Sequence, residues 1–276
     1  MIELHNTDCR ELIAGIESGS IDCIITDPPY GTTEASWDKL PDFDALFVDF
    51  RRILKINGNI ILTCCMPFAA ELIVKNKDLF KYDAVFLKNR KTDFVNAKNK
   101  PMRGHENILI FSKGTVANKS NNLMTYNPQD IIKQDIGKIN LRQKKSIIGI
   151  RENYNGNKYI QEFSNYPDTI FMSSTNEIGL HPTQKPIDLF NRLIKTYSNQ
   201  NDLILDPFMG SGTTGHAASL LNRQFIGCEL DPTYFAIAKA RIENAQHDLI
   251  NYFGQDVEAS PLIDKTDCII QTSINI

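Results

Sequence analysis

The chain has 276 residues, of which 42% are hydrophobic and 23% charged, a composition ordinary for a globular protein with one large core. No apolar run approaches membrane-spanning length, and Met1-Ile2-Glu3 lacks the basic and apolar regions of a signal peptide, so we expect a cytoplasmic protein with no membrane partner. The six cysteines include no Cys-x-x-Cys pair, which argues against both a zinc site and a disulfide framework.

The charge is unevenly distributed, although the formal net charge is only -3. Residues 88–158 carry 15 Lys and Arg against 5 Asp and Glu, whereas the rest of the chain carries 15 basic and 28 acidic residues. A basic middle of this kind predicts contact with a polyanion. A solvated loop region rich in Lys and Asn would have a similar composition.

The first third of the chain alternates between short apolar strands and amphipathic helices. We expect strands at 2–6, 21–26 and 59–63, a brief helix at 10–16, a helix from Phe43 that ends at Asn57-Gly58, and a helix opened by Pro67. This alternation predicts an α/β fold with a mostly parallel sheet covered by helices on both faces.

The strand at 21–26 stops at Asp27-Pro28-Pro29-Tyr30. Because proline has a fixed φ and no backbone N–H, the two prolines form a rigid turn beyond the strand. The turn presents two acceptors, the Asp27 carboxylate and the Pro28 carbonyl, beside the aromatic ring of Tyr30. This set suits a flat ring that bears an amino group, such as adenine or cytosine.

The middle of the chain loses this regularity. Strands are expected at 84–87 and 108–111, but from Gly114 to Ile178 the periodicity fades and Asn, Lys, Gln and Tyr dominate. This stretch is too long for an ordinary loop in a compact domain, so we interpret it as an inserted module. Its interleaved aromatic and basic residues suit contact with bases.

Regular elements return with a helix opened by Pro186, strands at 203–206 and 224–228, and a last helix capped at Asp231. The first of these strands leads into a glycine-rich turn, residues 206–215, that opens a helix. Glycines let the backbone approach a ligand, and a helix N-terminus offers unpaired N–H groups. Glu229 follows the second strand, where an acid can accept hydrogen bonds from ribose hydroxyls.

Gly210, Gly212 and Gly215 also satisfy Gly-x-Gly-x-x-Gly, so the glycines alone are equally compatible with a nicotinamide or flavin enzyme. A P-loop is excluded because no Lys-Ser or Lys-Thr follows the glycines. Asp206 would repel a pyrophosphate but attract a cationic amino-acid group. The Asp-Pro-Pro-Tyr turn, in addition, has no role in hydride transfer.

Several separated motifs resemble the DNA amino-methyltransferases: Asp-Pro-Pro-Tyr at 27–30, His-Pro-Thr-Gln-Lys-Pro at 181–186, Asp-Pro-Phe-Met-Gly-Ser-Gly-Thr at 206–213, and the acid Glu229. Their order, with the catalytic turn ahead of the cofactor strand, resembles the beta group of that family. The resemblance implies a Rossmann-like methyltransferase fold with permuted motif order and an antiparallel edge strand. It also implies S-adenosylmethionine as cofactor and duplex DNA as substrate.

The resemblance divides the chain into a catalytic half at 1–113, a target-recognition insertion at 114–178, an S-adenosylmethionine-binding half at 179–250, and a tail at 251–276 of unknown role. It allows a homodimer. It leaves open the recognition sequence and whether a restriction endonuclease accompanies the protein.

The resemblance also assigns residues individually. The catalytic positions are Asp27, Pro28, Pro29 and Tyr30. The cofactor-binding positions are Asp8, Cys9, Asp27, Thr183, Lys185, Asp206, Phe208, Gly210, Ser211, Gly212, Thr213, Glu229 and Leu230. Judged from the residues alone, Asp8 could equally be a helix N-cap and Lys185 a surface cation. His105, Glu106 and Trp37 are interpreted first as structural residues.

The implied reaction is direct methyl transfer to the exocyclic amine of a base. Hydrogen bonds to Asp27 and to the Pro28 carbonyl would withdraw the amine lone pair from conjugation, and the flipped base would stack on Tyr30. Asp before Pro-Pro-Tyr resembles the adenine-N6 enzymes. Cytosine-N4 methylation is the alternative, as are RNA or a protein amide as target and, from a different class, a catalytically silent nucleic-acid-binding module.

Overall fold

The computed structural model describes residues 1–31, 40–141, 145–146, 149–150, 158–172 and 185–254. The helices are α1 (Cys9–Gly15), α2 (Phe43–Ile53), α3 (Phe68–Lys75), α4 (Ile187–Tyr197), α5 (Thr213–Leu220) and α6 (Pro232–Gly254). The strands are β1 (Ile2–His5), β2 (Ile21–Thr26), β3 (Leu54–Cys64), β4 (Phe80–Thr92), β5 (Arg103–Ser112), β6 (Ile132–Leu141), β7 (Lys145–Ser146), β8 (Gly149–Ile150), β9 (Lys158–Ser164), β10 (Ile170–Met172), β11 (Leu203–Asp206) and β12 (Gln224–Cys228). None of the described helices is both long and apolar enough to cross a membrane.

Eight of these strands form one sheet in the order β1-β12-β11-β2-β3-β5-β4-β10. Every described pairing in it is parallel except those of β5, which runs antiparallel to both β3 and β4. The mostly parallel sheet is therefore confirmed. The antiparallel strand was expected at the edge of the sheet. Strand β5 is instead third from that edge, because β4 and β10 lie between it and the edge.

Helices cover both faces of the sheet, as the alternation predicts. Consecutive residues of β2 point to opposite faces, so Ile24 belongs to the core under α1, α2 and α3 while Ile25 belongs to the core under α4, α5 and α6. Both residues are fully buried. A sheet buried on both faces explains why its strands are continuous apolar runs.

One predicted helix boundary is wrong. Helix α2 ends at Ile53, and Asn57-Gly58 lies inside β3, within an irregularity in its pairing with β2. A Cβ on Gly58 would lie 2.8 Å from the carbonyl oxygen of Asp22. The glycine is required by this close approach of two strands rather than by a helix end.

The segment expected as an inserted module, 114–178, is only partly separate. Strands β6 and β9 pair with each other in a two-stranded sheet of their own. However, Met124 is buried in the main core, and β10 extends the main sheet beside β4. Both ends of the segment therefore contribute to the main body.

Candidate active site

The two loops singled out in the sequence lie side by side. Strands β2 and β11 are parallel neighbours, so the turn after Thr26 and the loop after Asp206 leave the sheet at the same edge. The Thr26 hydroxyl donates to Asp206 Oδ1 at 2.6 Å and ties the two strand ends together. The edge of the sheet thus brings the proline turn and the glycine loop into one site.

An aromatic cluster supports both loops from below. The ring of Tyr30 lies 6.2 Å from that of Phe68, which packs edge-on against Phe43 at 4.9 Å. Phe43 in turn lies 6.4 Å from Phe208 in the glycine loop. Residues from α2 and α3 therefore connect the ring predicted to stack on a base with the loop predicted to hold the cofactor.

The Asp27 carboxylate is held by three donors. Its Oδ1 accepts hydrogen bonds from the Tyr30 hydroxyl at 2.5 Å and from the Thr63 hydroxyl. Its Oδ2 accepts from Lys185 Nζ at 2.6 Å. An ionised carboxylate offers about four lone-pair sites, so one acceptor site is left for a further donor. Pro28 is buried and Pro29 half-buried beside it, which keeps the turn rigid.

Lys185 belongs to a chain of buried and half-buried charged side chains. Its Nζ lies 2.6 Å from Asp27 and 3.1 Å from Glu106, and Glu106 is also paired with Lys88 at 2.6 Å. The side chains of Lys185 and Glu106 are only 10% and 9% exposed. Two basic and two acidic side chains therefore form a cluster that joins the segment before α4, together with β4 and β5, to the catalytic turn.

The electrostatics favour the charged forms of Lys185 and Glu106. Burial lowers the pKa of Lys185, but the carboxylates of Asp27 and Glu106 more than reverse this, and the pKa lies above its ordinary value. Burial also acts to raise the pKa of Glu106, yet the ammonium groups of Lys185 and Lys88 hold it below its ordinary value. Burial and the nearby carboxylates raise the pKa of Tyr30 well above its usual range, so its phenol stays a neutral donor.

One expectation for Lys185 is wrong, and the other stays a prediction. Lys185 is not a surface cation, because only 9% of the residue is exposed. Its ammonium group contacts Asp27 and Glu106, whereas the resemblance assigns it to the carboxylate of the cofactor. Thr183, assigned to the same role, lies outside the described residues, as does Trp37.

Asp206 ties the glycine loop to the sheet. Besides the bond from Thr26, its Oδ1 accepts from the backbone N–H of Phe208 at 3.1 Å, and its Oδ2 accepts from the Thr214 hydroxyl at 2.5 Å. Only 2% of the residue is exposed, and burial raises the pKa of this carboxyl to about 6. The side chain therefore points into the protein and shapes the loop, and any contact with a cationic ligand stays a prediction.

The glycine loop and the end of β12 are also connected. Gly210 N–H donates to Glu229 Oε2 at 3.0 Å, and Asp231 N–H donates to Oε1 at 2.9 Å. Burial raises the pKa of Glu229 above its ordinary value. Gly210 has φ +51°, and a Cβ added there would meet no atom within 4 Å, so this part of the loop borders open space.

Asp8 lies at the same edge, because β1 is the parallel neighbour of β12. Its carboxylate accepts a hydrogen bond from Arg10 N–H at 2.8 Å and caps α1, so the N-cap interpretation is confirmed. Cys9 is 8% exposed, and burial raises the pKa of its thiol to about 11, whereas Leu230 is 68% exposed. The side chains of Cys9 and Leu230, both predicted to bind the cofactor, therefore differ greatly in solvent exposure.

The remaining loop positions of the prediction, Ser211, Gly212 and Thr213, are at the start of α5. Ser211 and Thr213 are buried, and Arg241 of α6 donates to the Thr213 hydroxyl at 2.9 Å. Gly212 has φ +80°, and a Cβ added there would lie 2.9 Å from the Ala238 backbone. Of these three positions, Gly212 therefore has a clear structural reason for its identity.

The sequence analysis missed the contacts that Thr63 and Lys88 make and treated Glu106 as structural. Thr63 ends an apolar strand with a hydroxyl, and Glu106 places an acid directly before the apolar run at 108–111. Thr63 is the penultimate residue of β3 and Glu106 lies inside β5, so both are polar residues beside an apolar run of a buried strand. This signal could have identified them, but it does not reveal which partner each one meets.

Comparison with known proteins agrees with this geometry. Residues 21–240 match the N6/N4 family of DNA methylases. The Type II methyltransferase M1.MboII of Moraxella bovis is 28% identical over 250 residues, which cover 84% of this chain and 93% of that protein. The DNA adenine methyltransferase YhdJ of Escherichia coli (strain K12) is 30% identical over 261 residues, which cover 88% of this chain and 83% of YhdJ.

Solved structures show the same fold. The crystal structure of the M1.HpyAVI–SAM complex aligns with a TM-score of 0.58 and 25% identity, covering 88% of this chain and 99% of that one. The cytosine-N4-specific PvuII DNA methyltransferase aligns with the same TM-score at 18% identity, covering 91% and 93%. The family match over residues 21–240 excludes the nicotinamide or flavin alternative. The chain belongs to the N6/N4 DNA methylase family, with the motif order of its beta group, and this family uses S-adenosylmethionine.

Proposed function

We propose that the protein methylates the exocyclic N6 amine of adenine in duplex DNA, after the base has been flipped out of the helix. One observation carries the proposal. The Asp27 carboxylate is held at the carboxyl edge of the sheet by three donors, beside the glycine loop, and keeps one acceptor site for a further donor. An amine N–H is the donor that this position suits.

The described residues fit S-adenosylmethionine. Ligands of parallel α/β sheets bind outside the carboxyl ends of the strands, where β1, β12, β11 and β2 here bring Asp8, Glu229 and the glycine loop together. The open space at Gly210 gives backbone access beside the Glu229 carboxylate. When bound, this cofactor supplies the electrophilic methyl group. We propose that Glu229 accepts from its ribose hydroxyls and that Phe208 borders its methionine portion.

The roles proposed for the turn follow from its contacts. Asp27 and the Pro28 carbonyl accept the two amine hydrogens and localise the nitrogen lone pair toward the methyl donor. The Tyr30 ring provides a stacking surface, while its hydroxyl helps to fix Asp27. Lys185 holds the other carboxylate oxygen and so acts as a positioning residue for Asp27.

Two observations support adenine over cytosine. Asp, rather than Ser, precedes Pro-Pro-Tyr, which resembles the adenine enzymes. In addition, the relative YhdJ, 30% identical to this chain, is named a DNA adenine methyltransferase. A structural neighbour named as cytosine-N4-specific has the same fold, so the fold itself does not discriminate between the two amines.

The test is nucleoside analysis of unmethylated duplex DNA incubated with the protein and labelled S-adenosylmethionine. We expect label in N6-methyladenine, and label in N4-methylcytosine alone would overturn the adenine assignment. Asp27→Ala should abolish transfer and leave cofactor affinity within about twofold, because its carboxylate acts on the amine. Asp44→Ala is the matched control, since it removes a carboxylate that is 63% exposed and paired with Lys75 on the surface.

The same experiment tests the alternative of a silent nucleic-acid-binding module. Such a protein would bind DNA but would transfer no label to DNA, RNA or protein. A calorimetric titration with S-adenosylmethionine then separates an inactive protein that binds the cofactor from one that does not.

A further inference from the structure

The strands β4 and β5 continue beyond the main sheet as a two-stranded arm, defined here as residues 88–105. The pairing of β3 with β5 stops at Asn107, and the pairing of β10 with β4 stops at Leu87. Beyond these points β4 and β5 still pair with each other, as far as Thr92 opposite Arg103. Among the described residues, this arm therefore projects with no neighbouring strand on either side.

The arm projects from the edge that carries the active site. Since β5 is antiparallel to both β3 and β4, β4 runs in the same direction as β2, and its carboxyl end points the same way as Asp27. The root of the arm is linked to the catalytic turn through the Lys88–Glu106–Lys185–Asp27 cluster. On the β5 side the paired part of the arm runs two residues, from His105 to Arg103, which at about 3.3 Å per residue is roughly 7 Å. Strand β4 is irregular over the same stretch, since Leu87 to Thr92 spans five residues.

The arm is strongly basic. It contains six Lys and Arg residues and a single acid, Asp93. Arg90, Lys91 and Lys98 are exposed. Exposed cations beside a site that acts on DNA bases are positioned to contact phosphates, which give affinity without sequence readout.

The tip of the arm presents two adjacent apolar side chains to solvent. Phe94 is 78% exposed and Val95 is 93% exposed. Single exposed apolar residues are common, but an adjacent pair at the tip of a basic arm indicates a surface that becomes covered by a partner.

Specific bonds hold this tip in shape. Asp93 adopts φ +72°, and its carboxylate accepts hydrogen bonds from Asn96 Nδ2 at 2.7 Å and pairs with Lys100 at 2.5 Å. Lys100 N–H also donates to the Asn96 carbonyl at 3.1 Å. The two apolar side chains are thus displayed on a structured turn, Phe94–Asn96, rather than on a loose loop end.

We propose that this arm is a DNA-binding element in which Phe94 and Val95 insert between bases next to the target, while Arg90, Lys91 and Lys98 contact the flanking phosphates. Apolar wedges inserted at a base step unstack and kink a duplex, and a flipped base leaves a gap that such a wedge fills. The inference rests on the proposed base-flipping function and deepens it. It adds a DNA contact that is separate from the recognition insertion predicted at 114–178.

The test uses two variants of the full chain. The wedge variant is Phe94→Ala with Val95→Ala, and the phosphate variant is Arg90→Ala with Lys91→Ala and Lys98→Ala. Val48→Ala with Val74→Ala is the matched control, since these two valines are 67% and 76% exposed on α2 and α3. The probe is a duplex carrying the sequence methylated by the wild type, mapped by sequencing, with 2-aminopurine at the target position.

When the wedge variant binds the probe, the increase in 2-aminopurine fluorescence should be at least fivefold smaller than with the wild type. Its affinity for S-adenosylmethionine should stay unchanged. The phosphate variant should lower the slope of log K against log salt by about 2 to 3, because each phosphate contact contributes about 0.9. The control variant should match the wild type in both measurements.

Equal fluorescence in the wedge variant and the wild type would overturn the insertion, and an unchanged salt slope would overturn the phosphate contacts. A wild type that dimerises through the tip, with the wedge variant monomeric in gel filtration, would assign Phe94 and Val95 to a second copy and refute the proposal. Failure of the proposed function is distinct from these results, since the wild type itself would then form no N6-methyladenine.

Discussion

Replacing Lys185 by methionine separates the role its contacts show from the role its motif implies. Methionine has a similar length but no charge, so Asp27 Oδ2 would lose the donor that lies 2.6 Å away and Glu106 one of its two cations. The Asp27 carboxylate would then be held on one side only, by the hydroxyls of Tyr30 and Thr63. We expect slow methyl transfer from a protein that still folds.

The magnitudes follow from burial. Removing one partner of a buried ion pair costs about 3–5 kcal/mol in the free energy of unfolding. In Lys185→Met, Glu106 would still be paired with Lys88, and the Asp27 side chain is 23% exposed to solvent. The loss in the free energy of unfolding should therefore lie at or below the lower end of this range, at about 2–3 kcal/mol. Loss of a preorganised contact at the reacting group should lower the transfer rate by roughly 100-fold.

The stability loss should also depend on pH. Because its partners lower the pKa of Glu106, its contribution is present above the ordinary value of about 4.3 and is lost as the pH falls further. The difference in unfolding free energy between wild type and Lys185→Met should therefore shrink as the pH falls below about 4. Urea titrations at several pH values measure this difference.

The decisive assay is single-turnover methyl transfer at saturating cofactor, with cofactor affinity measured separately by calorimetry. We expect the rate to fall while the dissociation constant for S-adenosylmethionine changes less than about threefold. Lys55→Met is the control, because Lys55 makes a comparable 2.8 Å pair with Asp22 at the other end of β2. If Lys185→Met instead bound the cofactor at least tenfold more weakly and kept the wild-type transfer rate at saturating cofactor, Lys185 would hold the cofactor carboxylate. That result would refute our reasoning.

Two further predictions concern the glycine loop. Because burial raises the pKa of Asp206 to about 6, this carboxyl should lower the unfolding free energy of the wild type by up to about 3 kcal/mol as the pH rises from 4 to 7. Asp206→Asn should lack this contribution. If the difference in unfolding free energy between the two proteins, measured by urea titration, did not change with pH, the prediction would be wrong. Gly212→Ala places a Cβ 2.9 Å from the Ala238 backbone at φ +80°, whereas Gly210→Ala meets open space at φ +51°. In thermal unfolding, we expect Gly212→Ala to lose about 2–4 kcal/mol and Gly210→Ala about 1 kcal/mol of unfolding free energy. Equal losses would show that the contact with Ala238 is unimportant.

Several elements of this protein are determined locally, and the sequence alone was sufficient for them. The strand at 21–26 and the strand at 224–228 have the predicted bounds, because an apolar run bounded by turn residues specifies a buried strand without reference to the rest of the chain. The proline turn after Thr26 follows from the covalent restriction of its two prolines. Family motifs supplied the cofactor and the reaction class.

Other features depended on how distant segments meet. Nothing local to Asn57-Gly58 distinguishes a helix end from a strand that passes close to Asp22, and nothing local to β10 places it beside β4. The clearest case is Lys185, which lies 158 residues from Asp27 along the chain and ends up 2.6 Å from its carboxylate. Sequence periodicity states which face of an element is buried, but strand order and helix placement decide which charges meet, so only the tertiary structure could assign this lysine to the catalytic turn.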